Sequence, residues 1–406
     1  MTPEARTVAY VDITGRGGGS NMSLRILLDA LDRQRYRPVL VFGDLNNAER
    51  WKNERVFEFN FASFDNFDFF LASWDVRWIY QLLRFLVHLP VDFVRSLVLL
   101  RKLRPTAVHV NCGQAVTFGI AAKTLKYPIV WHVRELVGQN LFGKLQDRLY
   151  SICADRIVVP SWAVASRLPV SRKKIVLIRN AVSAGKVSRD DVLHFKREHG
   201  IEHDEFVILL LAHAVAITKG YLFLADVAEQ LADKPKIKFV LAGHFLDQKA
   251  SAFHNLLKTI YRTAKGHSGE KRKILDRWEP LVRTGKAVFP GYVDAKLAIE
   301  ASAVVVCPTR THEPFGRTVI EAYSQAKPVI ASAVPAFTEL IEHGSTGWLV
   351  ETSVSDWVRT ISMVYNDPEQ LSRVGHRAKL KSMQYLPEEH AEQIMNLYET
   401  ILTSRH

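Results

Sequence analysis

Short apolar runs alternating with helical patterns constrain this chain's fold more than any other feature. Thr7–Val11, Pro38–Phe42, Ala107–Val110, Pro128–His132 and Ile175–Ile178 each read as a strand, with helical patterns at Leu24–Leu31 and Ala115–Leu125 between them. Asp155 to Val159 supplies a further strand before a turn at Pro160-Ser161. After Arg179-Asn180-Ala181-Val182 the pattern starts again, with strands at Phe206–Ala212, Ile237–Ala242, Val288–Gly291 and Ala303–Cys307 and helices opening at Lys219-Gly220 and at Arg317. Strands repeated with helices between them predict parallel, doubly wound sheets whose ligands sit at the carboxyl ends of strands. With 406 residues the chain is long enough for two such domains. The expected fold class is α/β, with domains at residues 1–183 and 184–385 and a helix at 386–406 packing back on the first.

Composition narrows the class. Hydrophobic content of 48% and charge of 24% are those of a soluble globular protein. Cys112, Cys153 and Cys307 are too few and too scattered for a disulfide framework or a zinc site, so a reducing cytoplasm is expected. Thr7–Val11 leads straight into a glycine turn, which gives no expectation of a signal peptide, and Asp92 and Arg95 interrupt the longest apolar stretch. The net charge of +12 is uneven: residues 1–180 hold 26 Lys and Arg against 15 Asp and Glu. That basic half also carries an aromatic-rich stretch from Trp51 to Arg104, the composition of an interfacial membrane contact. An anionic membrane surface is therefore an expected partner, with a peripheral position on the inner face of the cell membrane. No nucleic-acid motif accompanies the charge, so nucleic acid is not an expected partner.

Chemistry concentrates in Pro308–Pro335. Glu313-Pro314-Phe315-Gly316 reads as a tight loop after the strand, and the helix from Arg317 is stopped by Lys327-Pro328. Free N–H groups at such a helix start attract an anion, and Gly316 lets a phosphate approach the main chain. Glu313 and Glu321 flank the spot and can accept hydrogen bonds from ligand hydroxyls, an arrangement suited to a nucleotide-sugar. At the other end of the chain, Gly15, Gly17, Gly18 and Gly19 allow close backbone approach in the loop after the first strand.

Glu313 and Glu321, separated by seven residues with Pro-Phe-Gly after the first, resemble the E-x7-E motif of family-4 retaining glycosyltransferases of the GT-B fold. The resemblance covers nearly the whole chain, most specifically Val288–Val350. It implies two Rossmann-like domains facing each other across a cleft, an N-terminal one for the acceptor and a C-terminal one for the nucleotide-sugar. It further implies that Glu321 holds the ribose hydroxyls and Glu313 those of the transferred sugar, with Phe315, Gly316 and Arg317 lining the donor site. Lys219 is similar to the family's diphosphate-binding lysine, Gly18-Gly19 to its Gly-Gly pair, and either His132 or Arg134 to its histidine near the reaction centre. The partner arginine five residues before the lysine is replaced by Ala214, leaving Arg310, Arg317 or His213 to substitute. The family generally works without a bound metal, so no cofactor beyond the nucleotide-sugar is expected. The implied function is transfer of a sugar from a UDP- or GDP-sugar to a glycan or lipid-linked acceptor in cell-surface polysaccharide or lipopolysaccharide synthesis. An epimerase of the same fold and a non-catalytic nucleotide-sugar-binding subunit are the alternatives.

Overall fold

The computed structural model describes residues 5–12, 19–42, 57–60, 76–113, 115–183, 185–214, 217–244, 267–311 and 313–404, to which every structural statement below refers. Gly15, Gly17 and Gly18, most of the aromatic stretch before residue 76, and the first part of the basic stretch 246–286 lie outside them. The first half of the chain runs β1 (Arg6–Asp12), α1 (Gly19–Asp29), β2 (Tyr36–Phe42), β3 (Phe57–Asn60), α2 (Val76–Leu103), β4 (Ala107–Val110), α3 (Val116–Thr124), β5 (Ile129–His132), α4 (Leu141–Cys153), β6 (Arg156–Val159), α5 (Trp162–Ala165) and β7 (Ile175–Leu177). The second runs α6 (Arg189–Glu198), β8 (Phe206–Ala214), α7 (Tyr221–Gln230), β9 (Ile237–His244), α8 (His267–Arg283), β10 (Ala287–Gly291), α9 (Ala295–Glu300), β11 (Val304–Cys307), α10 (Arg317–Ser324), β12 (Val329–Ser332), α11 (Pro335–Leu340), β13 (Gly347–Val350), α12 (Val354–Asn366), α13 (Pro368–Ser382) and α14 (Pro387–Thr403). Two compact units result, Met1–Ala181 with Tyr385–His406, and Val182–Gln384.

The first unit holds a seven-stranded sheet in the order β3-β2-β1-β4-β5-β6-β7, with every pair parallel. Because side chains alternate across a strand, Ala9 and Val11 face one layer while Val8 and Tyr10 face the other. The first layer packs on α2, α3 and α4 through Leu100, Phe118 and Tyr150; the second packs on α1 and α14 through Leu24, Leu27, Ile394 and Tyr398. Burying each of these large apolar side chains contributes about 1.5–3 kcal/mol. Helix α1 starts at Gly19, earlier than the apolar pattern suggests, because its first turn is polar and Ser23 Oγ donates to the Gly19 carbonyl at 2.8 Å. The strand β3 and the 28-residue helix α2 were not legible within the aromatic stretch.

Helix α14 is joined to the sheet by polar bonds as well as packing. Tyr398 Oη lies 2.7 Å from His109 Nδ1 and donates to Tyr10 Oη at 3.0 Å, while Tyr36 Oη donates to Glu399 at 2.6 Å. Burial raises the Tyr398 and Tyr10 hydroxyls and keeps His109 well below the ordinary imidazole range, so the Tyr398, Tyr10 and His109 part of this network is neutral at physiological pH.

The second unit holds a six-stranded parallel sheet in the order β10-β9-β8-β11-β12-β13. Relative to its first strand this is the doubly wound order, with the reversal of winding between β8 and β11. The first unit reverses in the same way between β1 and β4. Both units are therefore Rossmann-like. In the second, α7, α8 and α12 cover one face through Phe223, Trp278 and Trp357. Helix α13 supports the end of α10: Lys379 Nζ donates to the Ser324 carbonyl, and a methyl at Gly375 would stand 2.3 Å from the Ala326 carbonyl oxygen.

Removing the Tyr398 hydroxyl tests how firmly α14 is held. Tyr398→Phe leaves Tyr10 and His109 without their shared partner and should lower unfolding free energy by about 1–3 kcal/mol. An unchanged urea midpoint and slope would contradict this role.

Candidate functional site

In a doubly wound sheet, the loops leaving the two strands at the reversal diverge to opposite faces and open a crevice. In the second unit those loops follow β8 and β11. The loop after β11 is tied to the turn after β8: Thr309 Oγ1 donates to the Thr218 carbonyl at 2.9 Å and Arg310 N donates to the same oxygen at 3.2 Å. The two chains approach so closely that a Cβ on Gly220 would sit 1.9 Å from the Pro308 carbonyl oxygen. Gly220 also has φ of 82° at the start of α7, a region that favours glycine. This stitching brings Lys219 Nζ to 2.8 Å from Glu313 Oε2.

Gly316 starts α10 with φ of 93°, and a Cβ there would stand 2.6 Å from the Phe337 ring. Phe315 is buried beside it. One turn on, Arg317 Nε donates to Glu321 Oε1 at 2.7 Å. Burial pushes the Glu321 carboxyl up from its ordinary value, and the Arg317 guanidinium opposes that rise. Arg310 lies with its guanidinium 5.6 Å from the centroid of the Phe223 ring, and His213 is the penultimate residue of β8. The structure thus assembles Lys219, Glu313, Gly316, Arg317 and Glu321 at one strand reversal. Cys307, at the end of β11, is pushed up to about 12 by burial and by Glu313, which keeps it a thiol.

The strand reversal of the first unit is also polar. Asp12 ends β1 and accepts from Asn111 Nδ2 at 3.3 Å, just beyond β4. Arg134, two residues past His132, donates through Nε to Asn111 Oδ1 at 3.0 Å and through Nη1 to Asn180 Oδ1, and its Nη2 lies 3.1 Å from His132 Nδ1. A guanidinium can only donate, so His132 accepts at Nδ1 and carries its proton on Nε2, an atom buried without a hydrogen-bond partner. Burial and Arg134 together keep His132 neutral, well below the ordinary imidazole range. Both candidate residues on this strand end therefore belong to one network. Asn111 and Asn180 complete it; the signal that could have found Asn111 is a polar residue directly following an apolar strand. Gly19 opens α1, and Gly18 lies outside the described residues.

Glu135 completes this edge. Its carboxyl packs against Gly113, where a Cβ would stand 1.9 Å from Glu135 Oε1, and Glu135 Oε2 accepts from the Arg134 backbone N–H at 3.1 Å. Burial pushes its carboxyl up to about 7, against the backbone bonds from Gly113 and Arg134.

Residues 192–381 match the sequence model of the family described as glycosyl transferases group 1. That segment carries the glycosyl transferases group 1 pattern. Lys219, Glu313, Arg317 and Glu321 all fall inside the group 1 segment, whereas His132 and Arg134 precede it. The chain is 26% identical over 214 residues to a Methanocaldococcus jannaschii glycosyltransferase, covering 48% of each chain. It is 26% identical over 191 residues to the D-inositol 3-phosphate glycosyltransferase of Pseudarthrobacter chlorophenolicus, covering 46% of this chain and 41% of that one. The chain thus spans about half the length of these curated relatives. Its fold is shared with Anabaena HepE, solved in complex with UDP and glucose, at a TM-score of 0.77 and 18% identity over 97% of this chain and all of that one.

Glu135 gives a pH test of the strand end in the first unit. Its folded pKa lies above the ordinary 4.5, so the folded chain holds an extra proton between about pH 4.5 and 7. The stability it contributes is present below pH 4.5 and is lost as pH rises through 7. Glu135→Gln should therefore gain stability relative to the parent across that window and hold a constant difference above it. Parallel unfolding curves at pH 4.5 and 7.5 would contradict the assignment.

Proposed function

We propose that this chain is a retaining glycosyltransferase that moves a sugar from a UDP- or GDP-sugar to a glycan or lipid-linked acceptor in cell-surface polysaccharide or lipopolysaccharide synthesis. The observation that carries the reading is the Lys219–Glu313 pair at the β8/β11 reversal, one loop away from the glycine start of α10. Lys219 and the first N–H groups of α10 meet the negative charge of the departing diphosphate. Arg317 adds a second cation there and takes the place of the arginine missing at Ala214; at rest it orients Glu321. Glu321 accepts from the ribose hydroxyls and Glu313 from those of the transferred sugar. In this proposal the anomeric carbon–oxygen bond to the diphosphate breaks, a bond to the acceptor oxygen forms on the same face, and the acceptor proton passes to the leaving phosphate oxygen. No side-chain base and no bound metal are then needed.

The first unit supplies the acceptor side of this reading. His132 and Arg134 form a preorganised neutral-plus-cationic pair, fixed by Asn111 and Asn180, that holds acceptor oxygens rather than exchanging protons. The basic balance of residues 1–180 favours an acceptor carried on an anionic lipid at the inner face of the cell membrane.

A thermal-shift screen over UDP, GDP and their sugars tests the donor assignment. One nucleotide series should raise the melting temperature, with the shift continuing to grow with the logarithm of ligand concentration above its dissociation constant. Lys219→Ala and Glu321→Ala should each weaken that ligand by about 1–3 kcal/mol, roughly five- to 150-fold. No shift with any nucleotide, or full affinity in both variants, would overturn the proposal.

A further inference from the structure

The outer face of the first unit that carries α2, α3 and α4 exposes large apolar side chains in two lines. Along α2, Val87, Val91, Val94 and Val98 follow helical spacing and are 49–71% exposed. Along α4, Leu141, Leu145 and Ile152 do the same and are 56–78% exposed. Both helices pack on the same side of the sheet, with α3 among them, so two apolar stripes share one face. Large apolar side chains repeated in line on a surface mark a contact.

Charge identifies what the contact is with. From Val87 onward in α2, and throughout α3 and α4, the exposed charges are all basic: Arg95, Arg101, Lys102, Lys123, Lys144 and Arg148. The two carboxylates of these stretches are turned inward. Asp92 and Asp147 are both buried; Asp92 lies 3.9 Å from Arg95 Nη1, and Asp147 accepts from the backbone N–H groups of Val170 and Ser171 at 2.8 and 3.1 Å. The opposite face is mixed in charge: α14 exposes Glu388, Glu389 and Glu392, while Arg35 lies 3.5 Å from Glu392 and Arg6 2.5 Å from Glu399. The exposed charges of α2 from Val87 onward, of α3 and of α4 are thus basic only, and they share their helices with the exposed apolar stripes.

We propose that the α2–α3–α4 face docks on a bilayer surface rich in anionic lipid. The valine stripe of α2 and the Leu-Leu-Ile stripe of α4 lie among the headgroups, and the six cations meet lipid phosphates. A second copy of this chain fits poorly, since a symmetric pairing would set cations against cations with no exposed carboxylate to match them. The contact lies along the helices, because no described helix is long and apolar enough to cross a membrane. This deepens the proposed lipid-linked acceptor by naming the surface that reaches the lipid. Vesicle binding needs no nucleotide, so failure here and failure of the donor reading are separately visible.

Co-sedimentation of the full chain with phosphatidylglycerol–phosphatidylcholine vesicles tests the proposal. Binding should fall at least about tenfold on pure phosphatidylcholine or on raising salt from 0.05 to about 0.5 M, each cation near the surface accounting for about fivefold. Val94→Asp combined with Val98→Asp, and Arg95→Glu combined with Arg148→Glu, should each weaken binding at least about tenfold while far-UV circular dichroism and melting temperature hold. No binding by the parent, or unchanged binding by folded variants, overturns it. So does a parent that sediments as a dimer, is dissociated by the valine substitutions and ignores vesicles.

Discussion

Two hydrogen bonds to one carbonyl oxygen organise the second unit. The Thr218 carbonyl accepts from Thr309 Oγ1 and from the Arg310 backbone N–H, which fastens the loop leaving β11 to the turn leaving β8. Parallel strands at a reversal of winding would otherwise send these loops apart. Once they are tied, Lys219 and Glu313 meet, and a glycine becomes the only residue that fits between the Thr218 turn and Pro308. The local backbone, not the ion pair, fixes the geometry: the partly exposed Lys219–Glu313 pair contributes about 0–1 kcal/mol. Such a pair can yield to a ligand while the loops that carry it stay in place.

The first unit solves the same topological problem with side chains. Its reversal between β1 and β4 is bridged by Asp12 and Asn111, and Arg134 gathers Asn111, Asn180 and His132 around it. A buried guanidinium is tolerable only when its donors are matched, and the bonds to Asn111, Asn180 and His132 do much of that matching. Behind this edge lies a column of aromatic and imidazole rings, with Tyr10 and His109 5.1 Å apart and His109 and His132 5.5 Å apart. Tyr398 closes the column from α14, so the final helix of the chain supports the strand ends built by its first third.

Much of the fold was legible because parallel strands buried on both faces leave an apolar run that no helix of that length would show. Ala107–Val110 and Val304–Cys307 were read to within a residue. The boundaries of α1 were not, because its first turn is polar and periodicity begins only with its apolar face. The Glu313–Glu321 spacing was visible as sequence, yet its partners were not. Arg317 lies four residues before Glu321, a spacing that any helix brings together, whereas the Lys219–Glu313 contact spans 94 positions and depends on which strands are neighbours. Asn180 stands 46 positions from Arg134 and was equally hidden. The exposed stripe on α2 was obscured by aromatic residues on either side of its start, and α4 showed no signal until its outward face was known.

The central claim is that the tied loops of the β8/β11 reversal form the donor site. Hydrogen–deuterium exchange of the full chain with and without saturating nucleotide-sugar tests it most directly. The account predicts that slowed exchange concentrates in the Lys219–Tyr221 turn and in the Phe315–Thr318 start of α10. Protection confined to other strand ends, with both of these segments unchanged, would contradict it.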